Sequence, residues 1–241
     1  MKPTTRFGTR AKAYAAFRPS YPRSAIDTVL RGMGPARELT IADVGAGTGI
    51  SARLFAERGA LVIAIEPNGN MRGAAEHHDR VRWLEGTGER TGLADDSVDV
   101  GVACQAFHWF ATTEALAELR RIARRRAAML QYERDERDAF THEYGEIVRA
   151  YATDDTEALR ATGMEVFAGF PNARVQRSEH PSAQRLDRES LLGRASSASY
   201  LPTTGPDADR MRADLRALFD RYERDGYVEL AMVTYALVAD W

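Results

Sequence analysis

Cysteine, lysine, net charge and long apolar runs are all scarce in this sequence. Cys104 is its one cysteine, so an internal disulfide and a multi-cysteine zinc site are excluded, and a reducing, cytoplasmic setting is expected. No run approaches the ~18 apolar residues that a membrane helix needs, and residues 1–17 lack the apolar core of a signal peptide. That opening is basic and without acid, which leaves an organelle transit segment as a minority reading. The 33 basic residues against 35 acidic ones give a net charge of −2, so no overall field draws in nucleic acid or an anionic membrane. Lys2 and Lys12 are the two lysines, and this skew towards arginine reads as codon bias. The arginine-rich stretch 120–126 reads as a solvated helix end, where cations suit the helix dipole.

What is present is an ordinary globular composition, 44% hydrophobic and 28% charged over 241 residues, enough for one large core. Short apolar runs alternate with amphipathic stretches as in a parallel sheet with helical crossovers. Strands are predicted at 39–44, 61–65, 81–84, 98–104 and 127–132, and helices at 51–58, 71–78 and 113–124. Residues 136–168 read as largely helical. A strand at 174–180, helices at 188–195 and 208–224, and a strand at 227–238 follow, with Pro202, Gly205 and Pro206 marking a break.

The sharpest local signal is Asp43 Val44 Gly45 Ala46 Gly47 Thr48 Gly49, a strand entering a glycine turn and then a helix. Glycine here permits positive φ and lets a ligand approach the backbone. Open parallel sheets bind ligands at the carboxyl ends of their strands. Ile50 stands where a dinucleotide fingerprint would have its third glycine, which weakens a nicotinamide cofactor reading. Seventeen residues after Gly49 comes Glu66, at the end of the second predicted strand. A carboxylate there can accept hydrogen bonds from both hydroxyls of a ribose.

This loop, then Glu66, Glu85 Gly86 Thr87 Gly88 Glu89 and Asp95 Asp96 Ser97 Val98 Asp99 Val100, resembles in order and spacing the class I S-adenosylmethionine-dependent methyltransferases. Tyr14, Arg18 Pro19 Ser20 Tyr21 Pro22, Gln105 Ala106 Phe107 His108 Trp109 Phe110, and Gly193 to Tyr200 resemble the small-molecule subgroup that includes trans-aconitate methyltransferases. The resemblance implies an α/β, Rossmann-like fold: a seven-stranded, mostly parallel sheet with helices on both faces and a helical cover over the active site. A single domain over 1–241 is expected, with an N-terminal lid at 1–38, a cofactor-binding core at 39–132, and a cover with the final strands at 133–241. S-adenosylmethionine would be the cofactor and S-adenosylhomocysteine its product. Gly45, Ala46 and Gly47 would pass beneath the methionine part, with Asp43 ordering the loop. Glu66 would hold the ribose, with Pro67, Asn68 and Met71 towards the adenine, although Met71 is equally a core residue. Thr87, Gly88 and Glu89 would meet the adenine edge, with Thr87 where the family often has an acid. Gln105 would lie near the methionine amino end, and Arg18 offers a guanidinium fork to the cofactor carboxylate.

A sulfonium methyl is already activated, so the protein has mainly to align a nucleophile and exclude water. His108 can be a base, a substrate contact or a packed core group. Trp109 offers an indole N–H and a pocket wall, while Tyr14, Tyr21 and Tyr200 are candidate acceptor contacts from a lid. No metal site is expected. The acceptor is expected to be a small molecule, methylated on a carboxylate or hydroxyl oxygen, with amine, carbon or macromolecular acceptors still open. The Pro-Pro tetrad of base amino methylators is absent after the fourth strand, which with the charge balance disfavours nucleic acid. A monomer or homodimer is expected, with no membrane partner. A nucleotide-dependent oxidoreductase and a sensor that binds the cofactor without transfer are the competing readings.

Overall fold

The computed structural model describes residues 17–241. Within them, strands β1 (Thr40–Val44), β2 (Leu61–Ile65), β3 (Val81–Leu84), β4 (Val98–Cys104), β5 (Ala123–Arg134), β6 (Arg174–Leu186) and β7 (Val228–Asp240) make one sheet. Its order is β3-β2-β1-β4-β5-β7-β6. The first five strands are parallel, and β7 runs antiparallel to both β5 and β6. This is the Rossmann-like, seven-stranded, mostly parallel architecture expected from the sequence.

Helices α1 (Arg23–Leu30), α2 (Ile50–Glu57), α3 (Gly69–Gly73), α4 (Thr113–Ile122), α5 (Ala139–Tyr151), α6 (Thr156–Ala168), α7 (Arg188–Ser196) and α8 (Gly205–Tyr222) cover the sheet. The central strands are buried on both faces, and their side chains divide by the two-residue period of a strand. Ala128, Leu130 and Tyr132 of β5 face a core shared with α1, α2, α5, α7 and α8. Ala127 and Met129 face a second core with Leu119 and Ile122 of α4 and Phe167 of α6.

Several elements depart from the sequence expectation for local reasons. The helix predicted at 71–78 is the short α3, because the Asn68 side chain accepts from the amides of Asn70 and Met71 and starts the helix early. The helix expected to reach 124 stops at Ile122, and β5 begins at Ala123. Arg124, Arg125 and Arg126 are therefore strand residues and not a solvated helix end. Arg126 is buried, chelates Asp240 at 2.6 and 3.1 Å and donates to the carbonyls of Val29 and Arg31 at 2.7 Å. The expected helical run 136–168 is two helices, the second started by the Asp155 carboxylate accepting from the Ala158 amide at 2.9 Å. Strand β6 extends to Leu186, where the sequence suggested an end at 180, because β7 pairs with it along its whole length.

Candidate active site

A cleft of about 280 Å³ opens at the carboxyl ends of β1, β2 and β4. Its first wall is the turn after β1. The amides of Gly45 and Ala46 donate to the Ile65 carbonyl at 2.8 and 3.0 Å, which ties this turn to the end of β2. Gly45 has φ +73°, and a Cβ on it would lie 2.7 Å from that of Ala106. Below the turn, the Ser51 hydroxyl of α2 donates to the Asp43 carboxylate at 2.7 Å and holds the helix start to the strand. Burial pushes the Asp43 carboxyl up to about 7, against the lowering effect of the Ser51 bond.

Glu66 forms the second wall. The Gly47 amide donates to its Oε2 at 3.0 Å and the Asn68 amide to its Oε1 at 2.9 Å. Both oxygens keep a further lone pair, since an ionised carboxylate has about four acceptor directions. Burial raises the carboxyl above its ordinary range, and the two amides partly offset this. Arg72 donates to the Glu66 main-chain carbonyl and, at 2.7 Å, to Glu85, so the ends of β2 and β3 are clamped together.

The third wall is Gly86 to Glu89, crossed by the ring of Phe110. A Cβ on Gly88 would lie 2.2 Å from that ring, so only glycine fits beneath it. Gln105, with φ +52°, closes the end nearest β5. Its side-chain carbonyl accepts from the Tyr132 amide at 2.9 Å, and its amide group donates to the Tyr132 carbonyl at 3.3 Å. The side chain thus prolongs the β4–β5 ladder, and its polar atoms serve the sheet.

Of the residues singled out in the sequence, Gly45, Gly47, Glu66, Pro67, Asn68, Met71, Thr87, Gly88, Glu89, Gln105 and Trp109 line this cleft. Gly86, Ala106 and Phe110 line it as well and were not singled out. The run Gln105 to Phe110 was the available signal for the last two. Asp43 and Ala46 are buried behind the walls. His108 is buried too, in a 3₁₀ turn under α6, where a Cβ on Gly163 would lie 3.0 Å from its Cα. Its ring packs on Trp109 with centroids 4.6 Å apart.

Arg18, Tyr21 and Tyr200 form a separate group at the carboxyl end of β5. Arg18 donates to the Tyr132 hydroxyl at 3.5 Å and to the Ser197 carbonyl at 3.4 Å, and the rings of Tyr21 and Tyr132 lie 5.8 Å apart. Burial pushes the Tyr200 phenol up, but the guanidiniums of Arg18, Arg160, Arg194 and Arg134 together bring it below the usual tyrosine value. Tyr14 lies outside the described residues. Among the described residues no group of three His, Cys, Asp or Glu side chains is placed to hold a metal ion, and no helix is long and apolar enough to cross a membrane.

Comparison with known proteins agrees with this geometry. Residues 42–130 match the family model described as a methyltransferase domain. An uncharacterised methyltransferase of Mycobacterium tuberculosis is 34% identical over 201 residues, 82% of this chain and 78% of its own length. A malonyl-[acyl-carrier protein] O-methyltransferase of Pectobacterium atrosepticum is 34% identical over 120 residues, 49% of this chain and 47% of its own. Among solved structures, a proposed type II methyltransferase from Anaeromyxobacter dehalogenans superposes with a TM-score of 0.63 at 25% identity, covering 93% of this chain and 97% of that one. The sheet order, the glycine turn facing Glu66 and these relationships together place the chain in the class I S-adenosylmethionine-dependent methyltransferase family.

Proposed function

We propose that this protein transfers the methyl group of S-adenosylmethionine to an oxygen of a small molecule, leaving S-adenosylhomocysteine. The observation that carries the cofactor half is the Glu66 carboxylate, held in place by the Gly47 and Asn68 amides at the cleft wall. A nucleoside diol in that position would meet acceptor lone pairs already oriented, which lowers the ordering cost of binding. Gly45 and Gly47 would underlie the methionine chain, and Pro67, Asn68 and Met71 would flank the adenine. Thr87, Gly88 and Glu89 would meet its edge. Gln105 would act through its main chain, because its side chain is committed to Tyr132, and Arg18 would take the cofactor carboxylate.

When bound, S-adenosylmethionine supplies a methyl group on positively charged sulfur. The protein's tasks are to align the acceptor and to keep water out. Trp109 lines the cleft and would form the acceptor-facing wall. His108, buried behind it, would hold Trp109 in place and is poorly sited to take a proton from the acceptor. Oxygen methylation is supported by the similarity to the malonyl-[acyl-carrier protein] O-methyltransferase and by the resemblance of the 105–110 run to trans-aconitate methyltransferases. A cytoplasmic monomer or homodimer, with no nucleic-acid or membrane partner, fits the charge balance and single cysteine.

The test is transfer from methyl-labelled S-adenosylmethionine into a cell extract, separated into small molecules, protein and nucleic acid. Label in small molecules is expected. Label in protein or RNA would overturn the acceptor reading, and cofactor binding with no transfer would support the sensor.

A further inference from the structure

The ring of Phe110 lies where two walls of the cleft meet. A Cβ on Gly45, in the turn after β1, would stand 3.1 Å from its Cε1, and a Cβ on Gly88, in the loop after β3, would overlap its Cδ2. These two carbons sit at opposite corners of the ring, so a single benzene ring spans the gap between two main chains. Two glycines from separate loops are therefore fitted to one side chain.

Phe107 meets the same ring edge-on, with centroids 5.5 Å apart. It is itself fully buried and packs edge-on against Phe167 of α6 at 5.3 Å, so it cannot yield. The main chain of Phe110 is tied as well: its amide donates to the Phe107 carbonyl at 2.9 Å, and its carbonyl accepts from the Thr112 amide at 2.8 Å. Held by Gly45, Gly88 and Phe107, the half-buried ring shows its remaining surface to the cleft that it lines. An apolar surface fixed in advance needs little further ordering when a flat ligand covers it.

The polar groups at this end of the cleft offer less. The side chains of Thr87 and Glu89 are exposed, so water competes for any bond they make. The Thr87 amide is spent on the Arg90 carbonyl at 2.9 Å. We propose that Phe110 is the binding surface for the purine base of the methyl donor, and that the base is held chiefly by apolar contact with this ring, with hydrogen bonds to its edge contributing less. The inference rests on the cofactor reading above. The base is common to S-adenosylmethionine and S-adenosylhomocysteine, so Phe110 serves donor and product alike and takes no part in the transfer step.

The test is calorimetry on the full chain with S-adenosylhomocysteine, and displacement of it by 5′-methylthioadenosine, which keeps the base, ribose and sulfur but lacks the amino-acid chain. Phe110→Ala should weaken both ligands by the same factor, about tenfold, within the range of one base–aromatic contact. Phe110→Leu restores apolar bulk without a flat ring and should fall between; it decides the matter if Phe110→Ala does not fold. Thr87→Val combined with Glu89→Ala should cost less affinity than Phe110→Ala does. Unchanged affinity in the Phe110 variants overturns the proposal, and so does a larger loss from the Thr87 and Glu89 pair. A loss confined to S-adenosylhomocysteine overturns it too, since the ring would then serve the methionine end over Gly45, as does failure of 5′-methylthioadenosine to displace S-adenosylhomocysteine from wild type. Failure of the wild-type protein to bind S-adenosylhomocysteine at all contradicts the cofactor reading itself.

Discussion

The cleft and the side-chain group at the end of β5 are built from different materials. The cleft, over β1, β2 and β4, is mostly main chain: a glycine turn, two amides on one carboxylate, and a glycine pressed under Phe110. The group over β5 is made of side chains from a loop, a strand and two helices, with arginines at 18, 134, 160 and 194 acting on Tyr200. Main-chain sites depend on short stretches of chain with fixed backbone angles. A side-chain constellation can be assembled from anywhere that the fold brings together, so it can change between relatives while the cleft stays the same.

Damage to single residues sharpens this contrast. The largest expected effect on binding is that of Glu66→Ala, which should weaken donor binding by about 1 to 3 kcal/mol through lost charged hydrogen bonds, seen as a raised KM for S-adenosylmethionine with no change in preference among acceptors. Gly88→Ala comes next. Its Cβ would have to displace the Phe110 ring, so about 1 to 2 kcal/mol of stability should be lost from overpacking, readable in denaturant unfolding and recovered when Phe110→Ala is added. If Gly88→Ala were as stable as wild type, the ring would not be seated on that glycine.

An effect of a different kind, on the pH dependence of stability, is expected from Asp43→Asn. The folded carboxyl titrates at about 7 against 3.8 for the free group, so the folded state holds its proton more tightly than the unfolded chain does. Stability from this residue is full below about pH 4 and declines as pH rises towards 7 and ionisation of the buried group is forced. Unfolding measured from pH 4 to 7 should show wild type losing stability relative to Asp43→Asn, and parallel curves would contradict the buried neutral carboxyl. The smallest effect is on His108→Asn, which should leave turnover within about threefold, since asparagine can hydrogen-bond but cannot act as a base at neutral pH. A loss of about a hundredfold, the low end of general-base catalysis, would make His108 the base after all.

The same contrast explains what the sequence disclosed. The order of β1 to β4, the turn at Gly45 and the place of Glu66 are all legible, because each depends on a local pattern of apolar residues, glycines and one acid. Phe110 and Ala106 escaped because their contact with Gly88 and Gly45 spans the sheet and leaves no local mark. His108 stayed open between base, substrate contact and packed core group from its neighbours alone; the packing of α6 through Gly163 buries it. The arginine run 120–126 misled for a similar reason. The partners that bury Arg126, Asp240 and the carbonyls of α1 and the loop after it, lie roughly a hundred residues away in either direction.

The most direct test of the account is calorimetric titration of S-adenosylhomocysteine into the wild-type protein and Glu66→Ala. Binding to wild type and at least about tenfold weaker binding to Glu66→Ala are predicted. Equal affinity in wild type and Glu66→Ala would contradict the assignment of the cleft.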